Sequence, residues 1–132
     1  MDEDADSFME VMEAFKLPKE TEDEKLKRGE AIQKGYKTAL SVPRKLCVET
    51  LDIYGTLEIL AQYGNKNAIS DVGVAVILAH AAVESALLNV MINLGPIKDE
   101  NFVEETNTFI KETREKSLQW KEKINNIVIR KL

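Results

Sequence analysis

From Ser70 to Leu94 the chain reads SDVGVAVILAHAAVESALLNVMINL, and Asp71, His80, Glu84, Ser85, Asn89 and Asn93 interrupt an otherwise small or apolar run. At about 100° per residue, Asp71, Ala75, Ala82, Ser85, Asn89 and Asn93 fall on one stripe of a helix, with His80 and Glu84 on a different side. A carboxylate and two carboxamides among small residues offer donors and acceptors to a flat polar ligand, or equally to neighbouring helices. His80 is the only histidine and suggests acid–base work, but one turn from Glu84 it reads better as a satisfied structural residue. With no second histidine and no cysteine at ligand spacing, no metal site is expected. Cys47, the single cysteine, reads as a small packed hydrophobe.

The chain is 132 residues long, 44% hydrophobic and 31% charged, which fits one globular domain. A net charge of −5 argues against a nucleic-acid footprint, which needs a basic face. One cysteine excludes an internal disulfide framework and fits a reducing compartment. The acidic start MDEDADS is not a secretory signal, so a cytoplasmic location is expected. The 70–94 stretch has the length of a membrane span. Its internal Glu84 and asparagines, and the lack of flanking interfacial anchors, favour a central helix instead, and no membrane partner is expected.

Three punctuation points divide the chain. Pro18 stops a first helix over about 4–15, and Thr21 with Glu24 forms a capping box for the next. Gly64 and Asn65 suit a helix end, after which Ser70 or Asn67 would cap. Gly95 and Pro96 end the apolar helix, and Asp99 can open the last. The first helix sets Phe8, Val11, Met12 and Phe15 on one face. Pro43, inside the 22–63 stretch, predicts a kink or break near Ser41–Val42. Leu46, Thr50, Ile53, Leu57 and Leu60 form a near-heptad seam beyond it. The last helix would bury Phe102, Thr106, Phe109, Thr113, Trp120, Ile124 and Ile127. The fold class is therefore all-α, an antiparallel bundle of four or five helices. A helix apolar nearly all round must be covered on every side, so a homo-oligomer, dimer or higher, is expected.

Several spaced words occur together in order: D-x-D-A-x-x-F at 2–8, A-F-K-L-P-K-x-T-x-x-E-K at 14–25, S-V-P at 41–43, G-N-x-x-A-x-S-D at 64–71 and L-N-V-x-I-N-L at 88–94. Together they resemble the cyclodeaminase/cyclohydrolase domain of folate one-carbon metabolism, the C-terminal half of formimidoyltransferase-cyclodeaminase and its stand-alone bacterial relatives. The resemblance covers essentially residues 1–132 as one domain. Domains of that family usually begin with a further helical segment holding a glycine-rich turn, which this sequence lacks.

The resemblance implies a substrate, a tetrahydrofolate derivative, and no cofactor. Attack of folate N10 on the N5-formimidoyl carbon, with loss of ammonia, would give 5,10-methenyl-tetrahydrofolate. The family's catalytic carboxylate corresponds to Asp4, which would move the proton; the plainer reading is an acid stabilising a helix N-terminus. Asp71, Asn89 and Asn93 would meet the pterin, or else cap and bridge helices. Lys19, within the cluster Lys16, Lys19, Lys25, Lys27 and Arg28, would attract the folate's glutamate tail. The interspersed acids favour a solvated mixed-charge helix start there. Cyclohydrolase activity on methenyl-tetrahydrofolate is the runner-up, because both reactions pass through a tetrahedral carbon between N5 and N10. A non-catalytic oligomerisation module is a third reading. A phosphotransfer bundle fits poorly, since Glu84 one turn after His80 would repel a phosphoryl group.

Overall fold

A computed structural model describes residues 2–132, with side chains described from residue 5 onward. Four helices follow one another: α1 Asp2–Phe15, α2 Glu22–Tyr63, α3 Ile69–Leu94 and α4 Glu100–Lys131, with one 3-10 turn, Lys66–Ala68, before α3. No strand occurs among the described residues.

Local chemistry sets most boundaries. Thr21 Oγ1 accepts from the Glu24 amide at 3.1 Å while Glu24 Oε2 accepts from the Thr21 and Glu20 amides at 3.2 and 2.9 Å, so the capping box forms. Asp99 caps α4 by accepting from the Phe102 amide at 3.1 Å. Its bond to Lys37 Nζ and that amide bond hold the Asp99 carboxyl below the usual carboxylate range. At the start of α3, neither Ser70 nor Asn67 is the cap. Asn65 Oδ1 instead accepts from the Asn67 amide at 3.0 Å and opens the 3-10 turn, and Ala68 precedes α3 without a side-chain cap. Lys131 closes the other side by donating to the carbonyls of Ala61, at 2.6 Å, and Gln62.

Pro43 does not break α2, which runs unbroken for 42 residues. The proline costs one backbone bond and crowds the turn before it. Both halves of the helix are held by packing on α1, α3 and α4, and Ser41 Oγ donates to the Thr38 carbonyl at 2.6 Å in that same turn.

The buried faces differ in register from the expected ones. On α1, Ser7, Val11 and Ala14 are buried while Phe8, Met12 and Phe15 remain about half exposed. Gly35 explains this: a Cβ there would lie 3.1 Å from Val11 Cα, so α1 sits too close to α2 for large side chains between them. On α2 the seam is Leu40, Pro43, Cys47, Thr50, Tyr54, Leu57 and Ala61, one position away from the predicted seam except at Thr50 and Leu57. On α4 it is Thr106, Ile110, Thr113, Ser117, Ile124 and Val128.

Helix α3 lies at the centre, packed on α2 and α4 through Val76, Val83, Leu87 and Val90. With the turn before it, it is long and apolar enough to cross a membrane by length and composition. Its far side is left uncovered: Val74, Ile77, Leu78, Leu88 and Ile92 are all more than half exposed. Two cores share α3. One, around Leu40, Cys47, Leu87, Val90 and Ile110, underlies its C-terminal half. The other, around Tyr54, Val72, Val76, Ile124 and Val128, underlies its N-terminal half.

Candidate functional site

Asn89 and Asn93, successive turns of α3, line a cleft of about 440 Å³ together with Ser7 and Phe8 of α1, Tyr36 of α2 and Pro96. Such a volume lies in the range of small-molecule sites. Neither carboxamide is spent on a neighbouring helix. Asn93 Nδ2 donates to the Asn89 carbonyl at 2.9 Å and Asn89 Nδ2 to the Ser85 carbonyl at 3.4 Å, both within α3. Each side-chain oxygen is left to accept from whatever enters the cleft.

Three packing features build this cleft. The Gly35–Val11 contact seats α1 on α2. Gln33 grips the α3–α4 connection from both sides, its Nε2 donating to the Pro96 carbonyl at 2.9 Å and its Oε1 accepting from the Lys98 amide at 2.8 Å. Lys37 ties the same connection down through Asp99 at 2.8 Å. Sequence reasoning missed Tyr36 and Gln33. Tyr36 is the one aromatic in an otherwise polar run, and that contrast was the available signal.

On the far side of Tyr36 and Pro96 lies a groove of about 830 Å³. Five cations line it, Lys25, Arg28, Lys34, Lys37 and Lys98, against one carboxylate, Glu30. Arg28 is fixed there, donating through Nε and Nη2 to the Phe15 carbonyl at 3.3 Å. Lys25 is exposed and pairs with Glu22 at 3.0 Å, and outside the groove Lys16 and Lys27 are likewise exposed and paired with Glu13 and Asp23 at 2.9 and 3.0 Å. Lys19 is exposed in the α1–α2 connection and lines neither cleft.

Asp71 stands elsewhere. It is exposed in the first turn of α3 and borders a separate recess with Leu57, Leu60 and Ala75. On a straight helix its 22-residue separation from Asn93 is about 33 Å, at about 1.5 Å per residue. One small ligand cannot reach both on the same chain. Ser85, between them, is exposed and donates to the Ala81 carbonyl at 2.7 Å. The side chain of Asp4 lies outside the described residues; its backbone is in the first turn of α1, one turn before Ser7 and Phe8.

His80 is half-buried and turns its ring toward the interior. Its Nδ1 is 2.8 Å from Ser117 Oγ, which is 2.7 Å from the Tyr54 hydroxyl, and the Tyr54 ring stacks on Trp120 at 6.0 Å. Ser117 and Tyr54 are fully buried, so His80 Nδ1 is spent on an interior partner that a substrate does not reach. Burial pushes the Tyr54 hydroxyl up despite the Ser117 bond. Glu84 turns away from His80, and both its oxygens accept from Arg114 Nε at 3.0 and 3.1 Å. Cys47 is fully buried, and desolvation pushes its thiol up to about 11, so it is inert as a nucleophile.

Known proteins place this geometry in a lineage. Residues 1–112 match the formiminotransferase-cyclodeaminase family model. The chain belongs to that family. A formimidoyltransferase-cyclodeaminase of Gallus gallus is 41% identical over 119 residues, which is 90% of this chain and 22% of the relative. A methenyltetrahydrofolate cyclohydrolase of Methylorubrum extorquens is 44% identical over 103 residues, 78% of this chain and 50% of that one. The crystal structure of formiminotetrahydrofolate cyclodeaminase from Thermotoga maritima superposes with a TM-score of 0.81 at 31% identity, covering 96% of this chain and 59% of that chain. The chain thus spans between about a fifth and three fifths of the length of these relatives. The formiminotransferase-cyclodeaminase family is one of folate one-carbon enzymes, and the all-helical fold seen here matches that of the Thermotoga maritima cyclodeaminase.

Proposed function

We propose that the chain is the cyclodeaminase unit of a folate enzyme, closing 5-formimidoyl-tetrahydrofolate to 5,10-methenyl-tetrahydrofolate with release of ammonia. The observation that carries the reading is the cleft at the C-terminal end of α3, where two carboxamides with open acceptors face Tyr36 and adjoin a cationic groove. A pterin offers N–H and amino donors to the Asn89 and Asn93 oxygens, and a glutamate tail suits the lysines beyond.

In the reaction N10 attacks the formimidoyl carbon, forming the N10–C bond, and gives up its proton. The former imino nitrogen takes protons and leaves as ammonia when its C–N bond breaks. Asp4 is the group proposed to carry a proton between these nitrogens, since a carboxyl can both accept and donate. Asn89 and Asn93 orient the ring, and Lys19 acts at most at long range on the tail. Asp71 could join the site only from a second copy of the chain. The uncovered apolar side of α3 supports such a copy, and sedimentation should then show a dimer or larger species at micromolar concentration rather than a compact monomer.

Methenyl-tetrahydrofolate hydrolysis is the second reading, favoured by the 44% identity to a protein named for it. An absorbance assay separates the two. Methenyl-tetrahydrofolate should appear when the formimidoyl compound is supplied; enzyme-dependent loss of added methenyl-tetrahydrofolate would support hydrolysis, and neither change would refute both. Asp4→Asn should lower kcat by roughly 10²–10⁴-fold with substrate affinity kept. Retention of more than about a tenth of turnover would remove Asp4 from the chemistry.

A further inference from the structure

We propose that Tyr36 is the residue by which this site selects a folate with its ring system intact, its side chain lying against the flat face of the pterin. The assignment rests on the folate reading of the cleft. Tyr36 and Pro96 line both the carboxamide cleft and the cationic groove, so the two spaces meet at this ring. A ligand with its polar ring at Asn89 and Asn93 and its anionic end among the lysines must pass it.

The ring is held and only partly buried. It packs edge-on against Phe15, with centroids 6.5 Å apart at 85°, and rests on the core around Leu40 and Leu87. Phe15 is itself pinned by Arg28, whose guanidinium lies 5.3 Å from that ring's centroid. These supports restrict the rotation of Tyr36 while leaving part of it open to both spaces. The Tyr36 hydroxyl makes no hydrogen bond among the described residues, unlike that of Tyr54, which bonds Ser117 at 2.7 Å. A tyrosine with a preset ring and an unspent hydroxyl, facing two carboxamides with open acceptors, supplies a stacking plane and one more polar contact. A flat hydrogen-bonding heteroaromatic ring uses both.

Calorimetric titration of the 132-residue chain with 5-formyl-tetrahydrofolate and with p-aminobenzoylglutamate, which lacks the pterin, tests this. Tyr36→Leu should weaken binding of the intact folate by about tenfold and that of p-aminobenzoylglutamate by less than about twofold, as expected for loss of a stacked aromatic contact. Tyr36→Phe should recover about half of that loss in free energy and fall short of wild type by about threefold, the size of one neutral hydrogen bond. Thermal melting of both variants controls for α1 docking. Unchanged folate affinity in Tyr36→Leu would overturn the role of Tyr36 and leave the folate reading standing. Equal losses for both ligands together with a lowered Tm would also overturn it, making Tyr36 a structural wall. Absence of folate binding by the unmodified chain would overturn the folate reading itself, and the assignment with it.

Discussion

The two halves of α3 use their polar side chains in opposite ways. In its N-terminal half, half-buried His80 reaches Ser117 of α4, which bonds Tyr54 of α2, a chain running into the core with spacings of 2.8 and 2.7 Å. At its C-terminal end, Asn89 and Asn93 bond only along their own helix, and Tyr36 keeps its hydroxyl unspent beside them. Saturated and buried polar atoms hold a fold together, because leaving one unpaired costs more than the bond returns. Unsaturated ones that line a cleft are available to a ligand. By that criterion the lone histidine, the most tempting residue in the sequence, belongs to the architecture, and the two plain asparagines are the residues we propose for the site.

Breaking the saturated end should have the largest effect on stability. Ser117→Ala leaves the Tyr54 hydroxyl and His80 Nδ1 without their shared partner and should destabilise the fold by about 1–3 kcal/mol. Chemical denaturation measures this, and folate affinity of the folded variant should be unchanged. A loss of binding without loss of stability would reverse the roles assigned to the two ends.

An intermediate effect comes from titration of the core. Burial raises Cys47 from an ordinary 9.0 to about 11, and raises Tyr54 from 10.0. Both groups are neutral when protonated, and the native state keeps its protons to higher pH than the unfolded chain does. The Cys47 contribution is therefore complete below about pH 9 and is lost as pH rises through 11, and the Tyr54 contribution is complete below about pH 10 and declines above it. Denaturation midpoints across this interval should fall, and Cys47→Ala should flatten the decline. A flat profile for the unmodified chain would contradict the burial of both groups.

The smallest stability effect is expected at the open end. Asn93→Ala should change unfolding free energy by less than about 0.5 kcal/mol, as for surface positions without a cross-helix partner. Its affinity for 5-formyl-tetrahydrofolate should fall by about three- to tenfold, the worth of one lost hydrogen bond. A large stability loss would mean that Asn93 bridges helices after all.

The sequence made local features readable and obscured non-local ones. The capping box at Thr21, the Asp99 cap and the punctuation around Gly95 depend on residues within one turn, and the helices begin and end where those signals lie. The buried faces of α1 and α2 were misread because apolar size was the guide. Gly35 lets α1 approach so closely that Ser7, Val11 and Ala14 go inside and three larger residues stay half exposed. Pro43 misled because tertiary packing on both halves of a 42-residue helix outweighs one lost backbone bond. At the site, helical spacing put Asn89 and Asn93 together but could not show that Asp71, on the same stripe, borders a different recess. Tyr36 and the Gln33 clamp join segments more than 50 positions apart, which no local pattern reveals.

Residue-resolved NMR titration of the chain with 5-formyl-tetrahydrofolate tests the location of the site most directly. The largest shift changes should fall on Tyr36, Asn89 and Asn93 and extend to Lys34 and Lys98 in the groove, while His80 and Ser117 stay unmoved. Changes centred on Asp71 and Ala75, or on the His80–Ser117 pair, would place folate at the other end of α3 and contradict the account.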